Sequence, residues 1–186
     1  LDFDNLTEDN IYVLDSPLLT NSQLKKFKKF FSKKTKVIDC TFDISSSLKE
    51  RIEAIREEAE TSVREGSTCL ILSDKNISNQ KASIPSILIV GAVHSHLVKL
   101  GLRGYCSINV ECSDAMDTHS FAVLIGAGAT TVNPYLAIDS IYQRFEKKLF
   151  GKSDFESCII KFKKSIDAGL LKIMSKMGIS VISSYR

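Results

Sequence analysis

Hydroxyl, carboxylate and amide side chains stand where short apolar runs end. Ser73 and Asp74 close the run that starts at Cys69, Glu111 and Asp114 stand at and beyond the run from Cys106, and Asn133 precedes Pro134. Carboxylates in such places could act as general bases or grip a substrate amine. The same residue types also cap the helices that follow strands, so Asp74, Glu111 and Asp114 carry a structural reading of equal simplicity. Ser73, His94 and Asp114 could in principle assemble a hydrolytic triad, but no GxSxG elbow accompanies them. His94 and His96 lie two apart, which on a helix turns their rings about 200° away from each other, so the two cannot ligate one metal. A buried imidazole bonded to backbone carbonyls is the expectation for His94. Gly126 and Gly128 resemble part of a phosphate loop, yet they follow a helical pattern rather than a strand. A tight chain reversal accounts for them.

The five cysteines, Cys40, Cys69, Cys106, Cys112 and Cys158, include no CxxC pair. Most sit in or beside apolar runs and are expected in the core rather than as ligands or nucleophiles. No metal site is expected.

Elements must exist to position these residues. Leu24, Phe27, Phe30 and Phe31 recur at helical spacing and predict a helix ending near Lys33, with Thr20 or Asn21 as its cap. Strands are predicted at 37–42, 69–74, 106–112 and 129–133. Helices are predicted from 45–47 to Gly66, over 84–100, at 117–125, over 136–150, and from a Ser153 cap to about Met177. The 84–100 helix should be the most buried, since Ile87, Leu88, Val90, Ala92, Val93 and Leu97 leave no continuous polar face. Residues 75–81 read as a polar loop, and 179–183 as a last β-like run.

Strands alternating with helices predict an α/β fold: a mainly parallel sheet of about four βα units, half-barrel-like or a small open sheet, with extra C-terminal helices. Its parts are an N-terminal arm and helix (1–35), a βα core (36–135) and a helical segment (136–186). Ligands usually meet such sheets at the carboxyl ends of the strands, where Ser73, Asp74, Glu111, Asp114 and Asn133 fall.

Composition narrows the function classes. The chain has 186 residues, 44% hydrophobic and 25% charged, which fits one globular domain and argues against disorder. A net charge of +3 is too balanced to argue for nucleic acid, and the basic stretches at 25–36 and 147–176 read as solvated helix faces. No apolar run approaches membrane-spanning length, and the acidic start LDFDNLTEDN lacks a signal peptide's basic region. A reducing, cytoplasmic compartment is expected. The chain begins at Leu and stops soon after an apolar run, so a piece of a longer polypeptide is expected.

One long stretch resembles a known family. Residues 84–97 (IPSILIVGAVHSHL) and 101–103 (GLR) look like the central domain of glutamate synthase large subunits. Val110-Glu111, 119–122 (HSFA), 124–126 (LIG), 132–137 (VNPYLA), 169–180 (GLLKIMSKMGIS) and 184–186 (SYR) continue the likeness, and 16–17, 19–21 and 70–74 fit more loosely. The resemblance implies a connecting domain between a glutamine amidotransferase and an FMN-binding barrel with an iron–sulfur cluster. There, ammonia from glutamine travels through a tunnel to 2-oxoglutarate and the imine is reduced to glutamate. It implies that this segment binds no cofactor itself, that its partners are those domains of the same polypeptide, and that ferredoxin or an NADPH-linked small subunit supplies electrons. A plastid stroma would replace the cytoplasm in a photosynthetic eukaryote. Ser95 and Ser120 depart from the family pattern, which has histidine at both. Two other readings stay open at this level: an independent α/β enzyme acting at its strand ends, and a non-enzymatic scaffold.

Overall fold

The computed structural model describes residues 12–185. Four parallel strands, β1 (Thr35–Asp39), β3 (Cys69–Ser73), β5 (Ser107–Glu111) and β6 (Thr131–Asn133), form one open sheet in that spatial order. Register runs Asp39↔Ser73, Ser73↔Glu111 and Glu111↔Asn133, so all four strands end level with one another. Helices α2 (Leu48–Arg64), α3 (Ser86–Lys99) and α4 (Thr118–Gly126) make the crossovers. The four βα units are present and the barrel is not closed.

Strand alternation gives the sheet two unlike faces. Ile38, Leu70, Leu72, Ile108, Val110 and Val132 pack under the crossover helices in one large apolar cluster. That cluster also takes Ile166 and Leu170 of α6 (Phe155–Met177), which folds back over α4 beside α5 (Tyr135–Glu146). Cys69 and Ile71 face the other way, against Leu19 and against Leu24 and Phe27 of α1 (Asn21–Phe31). Thr20 begins α1 with a reciprocal capping box involving Gln23. The edge beyond β6 is covered by the incoming arm: Leu19 N–H donates to Val132 and Val132 N–H donates to Pro17.

Several expectations need correction. The expected 37–42 strand is broken at Cys40, because Arg51 reaches across and its guanidinium donates to the carbonyls of Asp39 and Thr41. Beyond the break, β2 (Thr41–Asp43) pairs antiparallel with β4 (Lys81–Ser83), an unexpected strand that starts at the last residue of the expected 75–81 loop. Helix α3 starts later than expected. Ile87 and Leu88 are each 43% exposed, and burial falls to Ile89, Val90, Val93 and Leu97. Ile87 and Leu88 lie on the outward side of the helix, while Ser86 and Ile89 of the same turn are buried, so exposure follows the helix face rather than the apolar composition. Helix α6 is capped by Asp154, not Ser153. The β-like run near the C-terminus is a 3-10 turn, Ile182–Tyr185, since β-branched residues make a strand only where an edge is offered to pair with.

Candidate functional site

At the shared carboxyl edge each candidate side chain is held by a specific partner. Ser73 Oγ donates to Glu111 Oε2 at 2.9 Å. Glu111, 4% exposed, also receives Lys28 of α1 at 3.2 Å and Lys75 at 3.1 Å. Burial pushes its carboxyl pKa up, but Lys28, Lys75 and the Ser73 hydroxyl together outweigh that and hold it below the ordinary carboxylate value. Glu111 is thus an ionised, fully engaged carboxylate. Lys75 Nζ also lies 5.2 Å from the centre of the Tyr135 ring.

Asp74 turns to the other side of its strand. Its Oδ2 accepts from the Ser113 N–H at 2.9 Å and the Ser113 hydroxyl at 2.6 Å, which fixes the turn after β5. Burial and the neighbouring Asp74 carboxylate push the Tyr135 hydroxyl pKa up, so it stays protonated. Asp114 accepts from the Ser86 N–H at 2.9 Å and the Ser86 hydroxyl at 2.5 Å. Pro85 precedes α3 and has no side-chain cap to offer, so Asp114 caps that helix from a different loop. Asn133 donates to the Leu19 carbonyl at 2.8 Å and to Asn21 Oδ1 at 3.0 Å, tying β6 to the start of α1.

The five predicted residues therefore share one rim, but only Ser73 and Glu111 bond to each other through their side chains. Asp114 does cap a helix, but it is α3, which precedes its strand, rather than the helix that follows, and Asp74 holds the turn at Ser113 and caps no helix. Lys28, Lys75, Ser86, Ser113 and Tyr135 join this rim and were not anticipated. Helical spacing puts Lys28 on the flank of α1's apolar stripe, but no local pattern ties it to a residue 83 positions away.

The triad reading fails. His94 is occupied elsewhere: Arg103 Nε donates to its Nδ1 at 3.1 Å, and the same guanidinium binds the carbonyls of Cys106 and Gly128 near the amino ends of β5 and β6. His94 is half-buried rather than buried, and its Nδ1 is taken by Arg103. Gly128 has φ +122°, and a Cβ there would stand 2.4 Å from the His94 ring, so the chain reversal needs glycine on both counts. His96 bonds Glu60 at 2.9 Å and Arg56 at 3.2 Å, pinning α3 to α2.

Comparison with known proteins decides the family. The glutamate synthase central domain family matches residues 3–186. The chain is 46% identical over 183 residues to the glutamate synthase (NADPH) large chain of Azospirillum brasilense, covering 97% of this chain and 12% of that protein. It is 40% identical to the ferredoxin-dependent glutamate synthase of Pyropia yezoensis, covering 92% of this chain and 12% of that protein. Similarity to the Bacillus subtilis glutamate synthase (NADPH) large chain is also 40%, over 93% and 11%. The chain belongs to the glutamate synthase central-domain family.

Relatives of this domain include NADPH-, NADH- and ferredoxin-named enzymes, so similarity in this region does not follow the electron donor. The chain spans about one eighth of the length of these relatives. Among the described residues, none is grouped to hold FMN or an iron–sulfur cluster. Among the described residues no three His, Cys, Asp or Glu side chains converge to hold a metal. The five cysteines are buried, and burial pushes the Cys40 and Cys112 thiols up to about 12, the opposite of what a thiolate ligand needs. The Gly126–Gly128 backbone is filled by the His94 and Tyr185 rings rather than open to a phosphate. Among the described residues no helix is long and apolar enough to cross a membrane.

Proposed function

We propose that the chain is the connecting domain of a glutamate synthase, which forms L-glutamate from glutamine-derived ammonia and 2-oxoglutarate by reductive transfer at FMN. The domain holds the amidotransferase and synthase sites at a fixed separation and contributes wall to the ammonia path. The observation that carries this is the use made of the strand-end residues. Ser73, Asp74, Glu111, Asp114 and Asn133 each lock one element to another, so the rim where α/β sheets usually do chemistry is built here for rigidity. Residues 1–35 form the arm and helix of this domain, 36–135 its βα core, and 136–186 the helical segment leading toward the FMN domain. FMN and the iron–sulfur cluster belong to the rest of the polypeptide, and ferredoxin or an NADPH-linked subunit serves as reductant. The cytoplasm, or a plastid stroma, is the compartment.

The test uses the intact enzyme with Ile77→Trp or Leu136→Trp. These side chains are 45% and 44% exposed, Ile77 in the loop after Ser73 and Leu136 in the first turn of α5 after Asn133, so bulk there can be added without filling the core. Glutamine-dependent synthesis is expected to fall more than synthesis from added ammonia, with glutaminase activity retained. Equal loss of both synthetic activities at both positions would remove the connecting role of this rim.

A further inference from the structure

One buried oxygen of the strand-end rim has no hydrogen-bond partner among the described residues. Asp74 is 4% exposed, and its Oδ2 is filled by the Ser113 N–H and hydroxyl, while its Oδ1 accepts nothing. Leaving a buried carboxylate oxygen unmet is costly, more so than for a neutral group. No Lys, Arg or His side chain pairs with Asp74 among the described residues. Lys75, its neighbour in sequence, is engaged by Glu111 at 3.1 Å. The Tyr135 hydroxyl, kept protonated by burial and by the Asp74 charge, stands beside the carboxylate without bonding Oδ1.

A second carboxylate belongs to the same turn. Both oxygens of Asp114 are taken by the Ser86 N–H and hydroxyl, and it too has no ion-pair partner among the described residues. The buried Cys112 thiol senses both acids: burial first, then Asp114 and more weakly Asp74, push it up to about 12. The turn after β5 therefore gathers two carboxylates and the hydroxyls of Ser86, Ser113 and Tyr135. A water molecule could donate to Oδ1 but would leave the buried charge uncompensated. A divalent or transition-metal ion asks for a richer ligand set, and no three His, Cys, Asp or Glu side chains converge among the described residues. A singly charged ion is matched by one carboxylate oxygen and neutral oxygens. We propose that Asp74 Oδ1, with the Tyr135 hydroxyl, binds a small monovalent cation of the potassium or ammonium kind at the carboxyl edge of the sheet. Tyr135 is the first residue of α5 and Asp74 follows β3, so the ion clamps the helical segment to the sheet at the point where the two part.

The experiment is a crystal structure of the intact protein in thallium(I), a heavy stand-in for potassium. An anomalous peak is expected within coordination distance of Asp74 Oδ1, lost in Asp74→Asn and weakened in Tyr135→Phe. Potassium or ammonium added in excess should displace it, and the one that does so at lower concentration identifies the occupant. In solution, the thermal midpoint of the parent should be about 2–5 °C higher in potassium or ammonium chloride than in choline chloride of equal strength, because an ion that binds only the folded chain stabilises it. Both variants should lose most of that difference, and Tyr135→Phe decides the matter if Asp74→Asn does not fold. A water alone on Oδ1, or the Tyr135 hydroxyl donating to it directly, overturns the proposal. So does a thallium peak that neither ion displaces, since that marks the Cys112 thiol as the ligand, or a midpoint equal in all three salts.

Discussion

Against α2, α3, α4 and α6 the sheet presents Ile38, Leu70, Leu72, Ile108, Val110 and Val132, whereas against α1 it presents Cys69, Ile71, Asn109, Glu111, Thr131 and Asn133. Both faces are buried, and the strands are the same. The first face is held by apolar volume, which is tolerant of small changes in direction. The second is held by directional bonds: Asn109 Nδ2 donates to the Leu70 carbonyl and Ser107 Oγ, each at 3.0 Å, and its Oδ1 accepts from Thr131 at 2.8 Å. A polar network in a dry interior specifies one arrangement and penalises every partial one. The contrast teaches that the α1 side of this sheet fixes geometry, while the crossover-helix side supplies most of the stability.

Substitutions can break this contrast, and the largest effect is expected on the apolar face. Phe121 is fully buried and the bulkiest such side chain, so Phe121→Ala should cost about 3–5 kcal/mol in denaturant unfolding. A loss below about 1 kcal/mol would mean that this face collapses readily and is not the main source of stability.

Next comes the network. Asn109→Leu leaves the Thr131 hydroxyl without its buried acceptor and the Leu70 carbonyl without the Asn109 amide, and should cost about 2–3 kcal/mol. Adding Thr131→Val should restore part of that loss, because removing both partners of a buried bond is cheaper than removing one. Strict additivity of the two substitutions in a double-mutant cycle would show that the pair does not act as a unit.

Glu111→Gln separates the two faces by pH. The folded carboxyl titrates below its usual 4.5, so its contribution is present above that value and lost as pH falls through the folded pKa. The parent should be more stable than Glu111→Gln by about 1–2 kcal/mol at neutral pH, and the gap should close as the pH drops below 4.5. A gap that is constant from neutral pH to well below the ordinary carboxylate range would show that Lys28 and Lys75 do not stabilise the ionised form.

The smallest effect is expected at Leu88. Being 43% exposed, Leu88→Ala should cost under about 1 kcal/mol, whereas Val93→Ala, at 0% exposed on the same helix, should cost about 2 kcal/mol or more. Equal losses at the two positions would mean that the first turn of α3 is covered in solution.

Periodicity alone determined much of this protein. The apolar runs at 69–74 and 106–112 become central strands, because near-continuous apolar residues can be satisfied only by cover on both faces. Thr20, Ser47 and Asp117 cap helices where local spacing places a side-chain oxygen two or three residues from free N–H groups. The family, too, was legible from residues 84–180, since a long in-register likeness carries far more information than a short motif. Only the tertiary structure decided which strand-end residues act and on what. Asp114 caps α3 from 28 positions away, Lys28 reaches Glu111 across 83, and Asn133 reaches Leu19 across 114. Those bonds depend on which loops the sheet order brings side by side, and a chain's local pattern holds no record of that. The break at Cys40 and the exposure of Leu88 have the same origin: a propensity becomes structure only when a neighbour such as Arg51 is present, or absent, to receive it.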